Sequence, residues 1–253
     1  MKKLKAVYLA SSVCFVGFLH ANTPFDSSKM SEETKQFFIK EGLPIPGSGV
    51  TIAPSSKLKL KGTIGSKLLN EKIEMKQKGF ISSENNEAKT FLNIGAIISD
   101  QMKKQLVNDP KATTAKKDLS SVGIAFNAKE INQSLISSVL GFGSAGIYLE
   151  NQGWTSFVEF FEPKDIAGSV CNYQLSSIAL NGTAAIIYED EVHKEVNGKI
   201  TSIQVKGNEE TAYMYTVDWW DNDFYHLLNC SNKTFSKEIT QKVIDLAKQI
   251  DKN

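Results

Sequence analysis

The sequence predicts an α+β protein: an antiparallel sheet closed by one disulfide, flanked by a C-terminal helix and preceded by an N-terminal helical portion. Three observations carry that expectation. Beyond the N-terminal leader, Cys171 and Cys230 are the only cysteines. Between them, strand-like runs are punctuated by Asn181-Gly182 and Asn197-Gly198, a dipeptide suited to the two-residue turn whose central residues both take positive φ. After them, Ile239, Val243, Leu246, Ala247 and Ile250 recur at helical spacing, with lysines on the remaining face.

Residues 1–21 read as a secretory signal peptide, with Lys2, Lys3 and Lys5 ahead of the apolar run Ala6 to Leu19 and a small residue, Ala21, at the cleavage point. The run is shorter than the roughly 20 residues a spanning helix needs, and nothing of that length recurs. No membrane span is therefore expected after cleavage. The chain carries 29 basic and 28 acidic residues, and every basic residue is a lysine. Arginine's planar fork is the usual grip on phosphate. Its absence weighs against nucleotide and nucleic-acid partners. A short, lysine-rich leader points to a bacterial protein that is periplasmic or secreted, compartments in which a disulfide persists.

Residues 22–146 form the mainly helical portion. Ser31 to Gly42 has a capping serine, acids in its first turn and a terminal glycine, which predicts a short helix. Residues 43–56, rich in proline and glycine, read as a loop. The alternation Lys57-Leu58-Lys59-Leu60-Lys61 suits an edge strand, and the run to Lys78 holds seven lysines and two glutamates, a basic patch or a solvated face. Ala88, Phe91, Gly95, Ile98, Met102 and Leu106 predict one long helix over 84–108. Asn127 to Glu130 resembles a capping box ahead of a second helix through Ile131, Leu135, Val139 and Leu140. Gly141-Phe-Gly143-Ser-Ala-Gly146 matches the dinucleotide pattern by letter. That pattern needs a strand before its glycines and a helix after them, whereas here a helix is expected before and a strand after, so no cofactor is assigned.

Residues 147–253 form the sheet portion. Trp154 to Phe161 is one strand, and five more are expected at 171–180, 183–196, 199–206, 211–220 and 224–230, with a turn at Gly207 to Glu210. In a simple meander the two cysteines would sit on its outermost strands, too far apart to bond. Disulfide Cα atoms must approach within about 7 Å. The sheet must curl, or the strand order must bring its ends together; closure of so long a loop is worth about 4 kcal/mol in the chain-entropy picture.

Two functional readings follow. In the first, Tyr213, Tyr215 and Trp219 lie on one face of their strand and Trp220 on the other, with Asp221, Asp223 and Tyr225 close behind. From Ile147 to Cys230 there are thirteen acids against four lysines. An acidic, aromatic surface suits a binding module for a protein or glycan of the cell envelope or host, with no catalysis expected. The alternative explanation is that helices cover both rings, or that the acidic half attracts the lysine-rich half. The second reading is a secreted hydrolase using His193 or His226, which both neighbour carboxylates. Their spacing matches no zinc or calcium pattern, so no metal is assigned, and no activated nucleophile accompanies them.

Overall fold

The computed structural model describes residues 8–10, 13–15, 30–41, 45, 49–54, 63–104, 115–181 and 184–253. Its first elements are β1 (Tyr8–Ala10), β2 (Val13–Phe15), α1 (Glu32–Glu41), β3 (Gly49–Ala53), α2 (Thr63–Lys78) and β4 (Ile81–Ser82), then α3 (Glu87–Phe91) and α4 (Ile94–Lys104). Strands β5 (Ile136–Leu149), β6 (Gly153–Pro163) and β7 (Val170–Ser177) follow, then the single turn α5 (Ile178–Asn181) and β8 (Ala184–Tyr188). Strands β9 (Ile200–Asn208), β10 (Ala212–Trp220) and β11 (Phe224–Asn232) lead into helix α6 (Lys237–Ile250).

Seven strands form one sheet in the order β4-β9-β10-β11-β7-β6-β5, antiparallel except for the edge pair β4 and β9. A smaller sheet runs β1-β2-β8-β3, with β3 parallel to β8. The strand order resolves the disulfide. β8 leaves the large sheet, β11 becomes the neighbour of β7, and Cys171 sits directly opposite Cys230 with Cα atoms 4.1 Å apart.

Alternation sets the two faces of the large sheet. One buries the cross-strand rows Val205, Tyr215, Cys230, Cys171, Phe161 and Ile203, Val217, Leu228, Tyr173, Glu159. Helix α6 belongs to this face, through Val243, Ile244, Leu246, Ala247 and Ile250. Ser236 caps α6, its hydroxyl accepting from Ile239 N at 3.0 Å. On the opposite face Trp220 and Tyr225 pack against Ala185 and Ile187 of the small sheet. α3 covers the far end of that face, where Ser231 Oγ donates to Ala88 O at 2.6 Å and Phe91 meets Phe160.

Several expectations are corrected. The loop at 43–56 contains β3, and the 57–61 alternation lies outside the described residues. The long helix splits at Leu92-Asn93, where Asn93 Nδ2 bonds back to Lys89 O, so that α3 lies on the sheet and α4 on β5. The helix expected from 127 is instead a 3-10 turn, Gln133–Leu135, followed by β5, because pairing with β6 outweighs the helix-like spacing. The three glycines of the dinucleotide pattern therefore lie inside a strand, with register shifts around Gly141 and Gly146. The boundary between 146 and 147 falls within β5. Asn181 ends α5 rather than turning a hairpin, and the expected strand 183–196 is confined to β8. Asn197 and Gly198 do take positive φ, 48° and 81°, but the chain they reverse pairs through a single bridge, His193 to Thr201.

Candidate functional site

The residues expected to form an exposed aromatic surface are core. Trp219 is 0% and Trp220 4% exposed, and Tyr213, Tyr215 and Tyr225 are buried as well. The physical reason is that both faces of the sheet are covered. Tyr215 serves α6: its hydroxyl donates to Thr234 O at 2.8 Å and accepts from Ser236 N at 3.1 Å. Trp220 stacks on Tyr225 with ring centroids 5.3 Å apart, beneath β8. Asp221 builds the β10–β11 turn, its Oδ1 accepting from Asp223 N and Phe224 N.

His226 stands at the centre of a closed hydrogen-bonded network. Its ring stacks on Trp219 at 4.8 Å, Nε2 lies 3.1 Å from Asp221 Oδ2, and Nδ1 lies 2.8 Å from the Tyr173 hydroxyl. Burial, then the charges of Asp251, Asp221 and Glu159, push the Tyr173 phenol far up, so it stays protonated and shares a hydrogen bond with Nδ1. The ionised Asp221 carboxylate can only accept, so Nε2 donates to it. Burial raises the Asp221 carboxyl, but His226 and the backbone N–H groups of Phe224 and Asp223 outweigh it and hold the group well below the usual range. Lys199 bridges Asp221 at 3.2 Å and Asp251 at 2.6 Å, and Asp251 also accepts from Trp219 Nε1 and Asn197 Nδ2. The network fastens the end of α6 to three strands.

Both ring nitrogens of His226 are occupied, and the hydroxyl in reach is a buried phenol held protonated. His193 pairs with Thr201, which is opposite Trp219, which is opposite His226. Three strand spacings, about 14 Å, therefore separate the histidines, and they share no site. Among the described residues no group of three or more His, Cys, Asp or Glu converges to hold a metal.

The open surface lies at the opposite end of the sheet, on either side of α3. One groove, of about 770 Å³, follows the β9–β10 hairpin and is lined by Phe80, Tyr213, Glu84, Glu209 and Glu210, with Lys89 of α3 as its one cation. Its floor is aromatic, Phe80 meeting Tyr213 edge to face at 5.3 Å. Burial pushes the Tyr213 phenol up, and the charge of Glu209 pushes it further. The hairpin is held by Asn208, whose Oδ1 accepts from Glu210 N and Thr211 N and whose Nδ2 reaches Ser83 O. A second groove, of about 880 Å³, lies across α3 between the β6–β7 and β11–α6 turns and carries the opposite charge.

Of the residues singled out in the sequence, Tyr213 alone reaches an open groove; Asp221 and His226 are brought together, and Trp220, Tyr225 and His193 are elsewhere. Tyr173, Lys199 and Asp251 were not legible as partners of His226, because each comes from a distant strand or the C-terminal turn. The chain matches no family model, no curated protein and no solved structure.

Proposed function

We propose that the chain is an exported bacterial interaction protein of the cell envelope or secretome, periplasmic or secreted, that binds a protein partner without catalysis. The carrying observation is the acidic groove at the β9–β10 hairpin, where three carboxylates stand over a phenylalanine and a tyrosine. Cations favour that combination, because the carboxylates supply negative charge. The partner surface is therefore basic. The leader and the buried disulfide support an oxidising destination. A hydrolytic site that used both histidines together is not carried forward, since they share no cleft.

The test is calorimetric titration of the exported protein with an acetylated octapeptide of alternating lysine and glycine. Binding at low salt is expected to weaken roughly tenfold in the triple variant E84Q/E209Q/E210Q and to fall steeply with ionic strength. Unchanged affinity in that variant would remove the groove from the reading. Intact Met1 on protein recovered from the cytoplasm would remove export.

A further inference from the structure

The second groove has the opposite charge and a different construction. Lys89 from α3, Lys164 from the β6–β7 turn and Lys233 from the β11–α6 turn converge on it, against the single carboxylate of Glu162. All three lysines are exposed, and none of their ammonium groups has a partner among the described residues. Elsewhere Lys35, Lys78, Lys242 and Lys248 each pair with an acid on their own helix.

The three carriers are tied to one point. Ser231 and Asn232, both buried, end β11. Ser231 Oγ holds α3 through Ala88 O. Asn232 Nδ2 donates to Ala167 O at 3.1 Å and to Ser169 Oγ at 2.8 Å, fixing the β6–β7 turn. Its Oδ1 accepts from Thr234 N and Thr234 Oγ1, each at 3.0 Å, fixing the β11–α6 turn. Two buried polar side chains thus set the spacing of three cations from separate parts of the chain, which lowers the ordering cost of engaging several anionic groups at once.

From this we infer that the basic groove is a binding site for an acidic glycan, a carbohydrate chain bearing carboxylate or sulfate groups. Its volume accommodates a few sugar units, and its walls carry hydroxyl and amide groups suited to sugar hydroxyls. Nucleic acid is disfavoured because the lining has no aromatic ring for base stacking and no arginine. Lys89, on α3 between the two, lines the acidic groove as well, whereas Lys164 and Lys233 line this groove and not the acidic one.

The experiment is calorimetric titration of the exported protein with a sulfated hexasaccharide and with an oligogalacturonate, at low and moderate salt. K89Q, K164Q and K233Q should each weaken binding roughly two- to fivefold, the scale of accessible ion pairs, and the triple variant roughly 30-fold. The triple variant K117Q/K194Q/K252Q, which makes the same charge change outside the groove, should stay within about twofold of the parent. Equal losses in the two triple variants, or no binding of either saccharide, would overturn the site. A single-stranded oligothymidylate that binds as tightly and with the same lysine dependence would also overturn it, as a sink for any polyanion. Thermal melts of each variant show whether the fold is retained.

Discussion

Glu159 and Asp218 are buried carboxyls with no cation beside them. Glu159 Oε2 accepts from Ile131 N at 2.9 Å while Oε1 has no partner, and Asp218 Oδ1 accepts from the Tyr225 hydroxyl at 2.7 Å. Burial pushes each up to about 7. A carboxyl raised in this way stabilises the fold most fully below its unfolded value, near pH 4, and that stabilisation is lost as the pH rises through 7. Each group accounts for a decline on the order of 3 kcal/mol across that window. Asp221 and Asp251 act in the opposite sense: their depressed values contribute stability at higher pH that disappears as they are protonated in acid. The melting temperature is therefore expected to peak on the mildly acidic side and to fall from pH 5 to pH 8. E159Q and D218N should each flatten the decline. A parent melting temperature constant over that range would mean that neither carboxyl is held neutral. None of this was legible in the sequence, where Glu159 reads as one polar residue in an apolar strand and its burial depends on the turn at Ile131.

At the scale of elements, α6 was legible because its signals are local: an apolar stripe and lysines opposite it. The strand order was not, because an Asn-Gly turn predicts paired neighbours, whereas Asn181 ends α5. Ala184-Ala-Ile-Ile-Tyr188 is a continuous apolar run, the pattern of a strand buried on both faces, and it marks the segment that leaves the large sheet. β5 was misread because Ile131, Leu135 and Val139 fit a helix and a strand equally until β6 is there to pair with. The His226 network was half legible: Asp221 and His226 are five residues apart, but what fixes them is the C-terminal turn of α6. Asp251 accepts from Lys199, Trp219 Nε1 and Asn197, so D251A leaves a buried indole N–H without its acceptor and the partly buried Lys199 ammonium with Asp221 alone. It should cost about 2–4 kcal/mol, read as a lower denaturant midpoint. A loss below about 0.5 kcal/mol would show that α6 is held by its apolar stripe alone.

Across the whole molecule, the charge asymmetry visible in the sequence is only partly neutralised within the fold. Lys72 of α2 pairs with Asp190, and Glu71 approaches Lys206, so the lysine-rich and acidic halves do meet. Of the other charges, Glu84, Glu209 and Glu210 line one groove beside α3, and Lys164 and Lys233 line the other. Their lining residues lie far apart in the chain, so that no local pattern could have revealed them. The same long-range stitching bears on whether residues 147–253 fold alone. β5 crosses the boundary, β4 pairs with β9, and α3 is bonded to β11. A fragment starting at Ile147 would lose most of β5, exposing the edge of β6 and one side of a core containing Phe157 and Phe161. It is expected to bind a hydrophobic dye and to melt without a sharp transition. A fragment starting at Ala115 keeps β5 and the Leu119, Val122 and Ile131 contacts, and should recover a cooperative transition. Cooperative melting of the shorter fragment near the parent temperature would instead make the sheet an independent domain.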